Sequence, residues 1–161
     1  MKTVLISGSF DPVTRGHEDL IRRAALLFDR VEVVIFENSK KQYLFTLDER
    51  LSFLQKVCAA CGENVTAATC SDTVAGYACA HGITAILKGV RNAEDLAYEQ
   101  DMAVLNRLAG GPEPMFLPTD AAYAHISSSW VREFLRRGLP AKELLPAVIY
   151  RDVLDAYQKK S

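Results

Sequence analysis

The chain has 161 residues and 17.8 kDa, which is the span of one domain and leaves no room for a second large one. Hydrophobic residues make up 49% and charged residues 24%, a balance that excludes disordered and fibrous classes. Nineteen Lys and Arg against 20 Asp and Glu leave a formal charge of −1, so neither nucleic acid nor an anionic membrane is an expected partner. No apolar run approaches the roughly 18 residues of a membrane span, and the first residues lack the pattern of a signal peptide. A cytoplasmic protein is the expectation. The four cysteines, Cys58, Cys61, Cys70 and Cys79, lack the second close pair or the histidine that a zinc site needs. They read as small apolar residues of a reducing compartment, and no metal ligands are expected in the chain itself.

Taken in chain order, residues 2–7 are a β-branched run ending at a glycine, a buried strand. Residues 18–28 carry Leu20, Ile21, Ala24, Ala25, Leu27 and Phe28 at helical period, with Glu18 and Asp19 in the first turn, where the helix dipole favours acids. Residues 31–36 form a second strand and 37–44 a polar loop. Thr46 and Glu49 then make a capping box for a helix with Leu47, Leu51, Leu54 and Cys58 on one face, ending near Gly62. Strand 65–69, helix 73–81 closed by Gly82, strand 84–87 and helix 92–108 follow; the last stops at Gly110-Gly111-Pro112. A fifth strand spans 114–118. Residues 128–137, closed by Gly138, and 147–158, with Pro146 near the first position, make a helical C-terminal part from about 127 to 158. Strand and helix alternate without repeat or linker, so the fold class is α/β: one doubly wound domain with a five-stranded parallel sheet and helices on both faces. Ligands of such sheets bind beyond the carboxyl ends of the strands, at the reversal of topology.

The segment after the first strand, Ser7-Gly8-Ser9-Phe10-Asp11-Pro12-Val13-Thr14-Arg15-Gly16-His17, has the composition of a phosphate-binding turn. It lacks the Gly-Lys-Ser/Thr of a P-loop and the Gly-x-Gly-x-x-Gly of dinucleotide folds. His17 at the mouth of the next helix can donate from its ring to a phosphate oxygen. Lys41, Lys88 and Arg91 are cations placed near strand ends, Lys88 directly after the fourth strand and Arg91 where the next helix begins. Of Ser127, Ser128 and Ser129, one serves as N-cap and the other two form a cradle for terminal phosphates. On local grounds Tyr98 packs, Glu99 faces solvent, and Trp130 is a packing residue.

Thr14-Arg15-Gly16-His17 after Ser9-Phe10-Asp11-Pro12 resembles the Thr/His-x-Gly-His signature of the nucleotidyltransferase superfamily, which has a Rossmann-like fold. Asn38-Ser-Lys-Lys41, Phe45-Thr-Leu-Asp-Glu-Arg50, Lys88-Gly-Val-Arg91-Asn, Tyr98-Glu99 and Ile126-Ser127-Ser128-Ser129 then follow in the order and spacing of bacterial phosphopantetheine adenylyltransferases. The resemblance runs from about residue 3 to about 157. It implies a single nucleotidyltransferase domain over 1–161 that moves an adenylyl group reversibly from ATP to 4′-phosphopantetheine, giving dephospho-coenzyme A and pyrophosphate, the penultimate step of coenzyme A synthesis. It also implies that His17 and Lys41 are catalytic. Ser9, Lys41, Val74 and Lys88 would bind the acceptor. Ser9, Phe10, His17, Gly89, Val90, Arg91 and Glu99 would bind ATP, together with the segment Tyr123, Ala124, His125, Ile126, Ser127, Ser128 and Ser129. Mg²⁺ would ride on the substrate phosphates, coenzyme A would act as feedback inhibitor, and the assembly would be a homohexamer. Two positions depart from the pattern: Lys88 stands where arginine is usual, a point charge in place of a bidentate fork, and Ser7 stands where proline is common. Lys40 is the alternative to Lys41. The rival reading is another adenylyl- or cytidylyltransferase of the superfamily, such as a nicotinate-mononucleotide adenylyltransferase.

Overall fold

A computed structural model describes residues 1–160. Five parallel strands, β1 (Thr3–Gly8), β2 (Arg30–Phe36), β3 (Val65–Cys70), β4 (Ala85–Val90) and β5 (Glu113–Pro118), lie in the order β3-β2-β1-β4-β5. The helices are α1 (Arg15–Leu27), α2 (Leu47–Cys61), α3 (Val74–Ala80), α4 (Ala93–Leu108), α5 (Ser128–Arg136) and α6 (Tyr150–Gln158), the last preceded by a 3-10 turn at Ala147–Ile149. Alternate strand residues go to opposite faces. Val4, Ile6, Val31, Val33 and Ile35 pack into the larger core with Ile21, Leu54, Val131 and Val153 of α1, α2, α5 and α6. Leu5, Val34 and Ile86 meet Tyr77 and Ala78 of α3 on the other face. The doubly wound architecture expected from the alternation of elements is therefore present.

The local signals set most element ends. Thr46 caps α2 and exchanges the reciprocal capping-box bonds with Glu49, while Gly62 closes the helix. Two expectations shift. Helix α1 begins three residues earlier than the apolar period suggests, because Thr14 is its cap. Strand β4 runs on through Lys88, Gly89 and Val90, which pair with Phe116, Leu117 and Pro118 of β5, so Lys88 lies within the strand and not after it. Trp130, read as a packing residue, is 56% exposed with its ring edge-on to Phe134, and Tyr98 is likewise mostly exposed.

The topology reverses between β1 and β4. Six residue pairs join β1 to β2, yet only Val4 with Ala85 and Leu5 with Ile86 join β1 to β4. Past those pairs the two strands part, and the gap at their carboxyl ends opens into a cleft.

Candidate active site

The cleft has a volume of roughly 270 Å³ and is walled by Ser7, Leu87, Lys88 and Gly89 of the parted strands. Phe10, Thr14, Gly16 and His17 come from the turn into α1, Arg91, Asp95, Tyr98 and Glu99 from α4 and its entry, and Tyr123, Ile126, Ser127 and Ser128 from the entry to α5. Three helices thus begin at its rim, each presenting unpaired N–H groups and the positive end of its dipole.

His17 occupies the third position of α1, and its ring belongs to that helix's capping box. The Thr14 N–H donates to Nδ1 at 3.0 Å, the Thr14 hydroxyl lies 3.0 Å from the same nitrogen, and the His17 N–H returns to Thr14 Oγ1 at 3.4 Å. With Nδ1 an acceptor, a neutral ring carries its proton on Nε2, which is left as the donor to the cleft. Burial, followed by the charges of Arg91 and Lys88, lowers the imidazole from its ordinary 6.5 to about 4. That shift favours the neutral ring at pH 7, with Nε2–H free to donate. Phe10 holds its other side edge-on, with ring centroids 5.0 Å apart. Phe10 itself sits at φ 47°, a left-handed conformation uncommon for a bulky residue, with its ring buried.

The cations differ in setting. The Lys88 ammonium spans the parted strands, donating to the Ser7 carbonyl at 3.1 Å with Glu99 Oε2 at 3.9 Å. Its pKa is lowered by burial, against the pull of Glu99. Arg91 is held in a fork by Asp95, Nε to Oδ2 at 2.8 Å and Nη2 to Oδ1 at 3.1 Å, and the pair raises the guanidinium and lowers the carboxyl. Lys41 lies elsewhere, in the loop before α2, along a second and more open hollow of roughly 630 Å³ shared with Tyr43, Arg50 and Ser71. Its charge still reaches Lys88.

The remaining sequence-derived positions divide. Gly89, Glu99, Tyr123, Ile126, Ser127 and Ser128 line the cleft with His17, Lys88 and Arg91. Ser9, Val74, Val90, Ala124, His125 and Ser129 are not among its lining residues. Ser127 is the N-cap of α5, accepting from the Trp130 N–H. Ser128 donates to the Pro12 carbonyl and Ser129 accepts from Arg132, so both hydroxyls are engaged with the protein. Sequence reasoning missed Asp19, Arg23, Asp95 and Thr119, which also line the cleft. Asp95 had a readable signal, a carboxylate four residues after Arg91 at a helix start, and Asp19 with Arg23 is a pair of the same spacing on the helix that carries His17; Thr119 becomes a neighbour only through the fold.

A family model described as cytidylyltransferase-like matches residues 5–134. A phosphopantetheine adenylyltransferase of Pseudarthrobacter chlorophenolicus is 39% identical over 154 residues, covering 96% of this chain and 93% of that one. One from Histophilus somni is 41% identical over 153 residues, covering 94% and 96%. The chain belongs to the phosphopantetheine adenylyltransferases of the cytidylyltransferase-like family. Among solved structures, a protein assigned as a nicotinate-nucleotide adenylyltransferase from Vibrio parahaemolyticus superposes with a TM-score of 0.66 at 16% identity over 96% of this chain and 99% of that one, a likeness of fold. Within this adenylyltransferase the Thr-x-Gly-His motif is a helix cap and a proton-placing device at once: Thr14 both starts α1 and decides which nitrogen of His17 faces the cleft.

Proposed function

We propose that this chain transfers the adenylyl group of ATP to 4′-phosphopantetheine, reversibly, releasing pyrophosphate and forming dephospho-coenzyme A. The single observation that carries the mechanism is the His17 ring, its Nδ1 taken up by the Thr14 N–H so that Nε2 is left to donate, in one cleft with Lys88 and Arg91 and ringed by three helix N-termini. Joining a phosphate monoester to a triphosphate brings several negative charges together, and the demand is positioning and charge stabilisation more than covalent chemistry. The acceptor phosphate is its own nucleophile. His17 donates to the oxygen on the α-phosphate where charge develops, and a ring held neutral keeps that hydrogen bond without surrendering a proton. Arg91 and the α5 entry from Tyr123 to Ser129 hold the triphosphate, with Gly89, Val90 and Glu99 beside the nucleotide; Ser9 and Phe10 flank it. Lys41 and Lys88 draw in the acceptor phosphate, and Val74 borders its pantetheine arm.

Among the described residues no group of three or more His, Cys, Asp or Glu side chains is arranged to hold a metal, and Asp19, Asp95 and Glu99 of the cleft are each matched with a cation. Mg²⁺ therefore fits this site as a companion of the triphosphate, held by phosphate oxygens and water, and it would neutralise charge there. Coenzyme A, which shares the pantetheine arm, fits as a competing inhibitor of the acceptor site. Val104, Leu105 and Leu108 of α4 stand exposed beside one another and support self-association, which we take to be a homohexamer working in the cytoplasm.

The test is pyrophosphate release from ATP and Mg²⁺ with 4′-phosphopantetheine, with nicotinate mononucleotide as parallel acceptor and CTP as parallel donor. Release confined to ATP with phosphopantetheine is expected. Turnover with another pair alone would overturn the substrate assignment, and a sedimentation mass of one chain would overturn the hexamer.

A further inference from the structure

The loop that carries Ser9 and Phe10 into His17 is gripped from three sides, by the 37–46 loop, by α5 and by α2. Asp11 is buried, and its two carboxylate oxygens accept separate backbone N–H groups, Oδ2 from Leu44 and Oδ1 from Phe45, each at 2.9 Å. From α5, Arg132 Nη1 donates to the Asp11 carbonyl at 2.7 Å with Oδ2 at 3.7 Å, and Ser128 donates to the Pro12 carbonyl at 2.8 Å. From α2, buried Arg50 donates through Nη1 to the Ser9 carbonyl at 2.8 Å. The Arg50 Nε is buried without an acceptor, while the Tyr43 ring covers the guanidinium face at 3.9 Å. Tyr43 in turn accepts the Asn38 N–H at the start of the Lys41 loop.

We propose that Asp11 is a positioning residue for the reaction: by accepting the Leu44 and Phe45 N–H groups it fixes the loop that carries Lys41 against the turn that carries His17. The chemistry of the bonds supports this assignment. A carboxylate is the one side chain that offers two strong acceptors in a plane to two successive backbone donors. The β1–α1 turn and the 37–46 loop leave neighbouring strands and share no ladder bonds beyond those strands, so side chains must set their spacing. Leu44 and Phe45 lie three and four residues from Lys41, close enough that their anchoring limits where the ammonium can travel. Arg50, reaching Ser9 from below while stacked on Tyr43, braces the same two loops from α2. Arg132 draws the Asp11 end toward α5, so donor side and acceptor side are clasped through one residue. Small misplacements of charged groups cost large factors in transfer reactions, which makes such a clasp consequential although it touches no reacting atom.

The inference rests on the reading in which Lys41 holds the acceptor phosphate, and it is tested by a cycle of Asp11→Ala, Lys41→Ala and the double variant, with near-UV circular dichroism as the check on folding. Asp11→Ala is expected to raise the phosphopantetheine KM by about tenfold while the ATP KM stays within about twofold, and to add less than about twofold in the Lys41→Ala background. Full additivity of the two changes, or a lower melting temperature with both KM values intact, would overturn it. Should Asp11→Ala fold poorly, Asp11→Asn keeps one accepting oxygen and is expected to show a smaller change of the same kind. Amide hydrogen exchange at Leu44 and Phe45 reads the clasp with no substrate present: faster exchange in Asp11→Asn is expected, and unchanged exchange overturns the proposal. A wild type silent toward phosphopantetheine refutes the proposed reaction, while the exchange experiment still decides the clasp.

Discussion

At the scale of single residues, the surroundings of His17 favour an uncharged ring. Its Nδ1 faces the Thr14 N–H, so protonation there would set donor against donor, and burial with Arg91 and Lys88 nearby opposes the imidazolium further. Nitrogen-15 NMR of the ligand-free protein should show the Nε2–H tautomer at pH 7 and a midpoint close to 4; a midpoint near the ordinary 6.5 would refute the neutral-donor mechanism. His17→Ala should keep its near-ultraviolet spectrum while kcat falls about 100- to 1,000-fold, the cost of one donor to a developing oxyanion. Loss of fold together with activity would make His17 a structural residue only. The serines show how packing partners share a hydroxyl. Three in a row suggest one cap and a phosphate cradle; in the structure Ser127 is the cap, Ser128 donates to the Pro12 carbonyl and Ser129 accepts from Arg132. What the α5 entry offers an anion is its backbone N–H groups together with the Ser127 and Ser129 hydroxyls, whose oxygens accept in these bonds and whose protons stay free to donate.

At the scale of elements, α1 joins stability to catalysis through its first turn. Thr14→Ala removes the side-chain cap and should cost about 1–2 kcal/mol in a urea titration. It leaves the backbone N–H on Nδ1, so kcat should fall far less than in His17→Ala. Equal losses in the two variants would mean that the hydroxyl, not the backbone, sets the ring. The caps also show how much of the fold is legible locally. Thr46 with Glu49, Gly62 and Gly138 mark helix ends by chemistry that acts within a few residues, and the structure places those ends where the sequence suggests. Lys88-Gly89-Val90 looks like a loop because glycine and a cation are poor strand formers. It is a strand because β5 pairs with it from more than 20 residues away, a partner that no local signal announces.

At the scale of the molecule, stability should depend on pH from both sides. A His17 whose pKa is lowered on folding contributes stability that is fully present above 6.5 and is lost as pH falls toward about 4. Asp95 and Glu49, also lowered, extend that loss at still lower pH. On the alkaline side, burial pushes the Cys58 thiol up to about 12 and Cys61 to about 11 from an ordinary 9, and raises Tyr77 as well. For these three groups the unfolded chain ionises first, while Lys88, lowered by burial, acts the other way; with three groups against one, stability should decline as pH rises past 9. Urea midpoints measured from pH 4 to 10 should form a plateau between about 6.5 and 9. A maximum below pH 5 would contradict the placement of His17. The raised thiols also agree with reading Cys58 and Cys61 as packing residues of α2.

By itself the sequence determined the alternation of strand and helix and the caps, because period and turn chemistry act over a few residues. Resemblance extended that to the reaction. Only the tertiary structure decided that β1 and β4 part after Leu5 and Ile86, that Lys88 bridges the opening while Lys41 lines a separate hollow, and that Asp11 of the turn before His17 holds the loop that carries Lys41. Those relations join residues tens of positions apart through strand order and buried hydrogen bonds, and such partners are chosen by the packed fold as a whole.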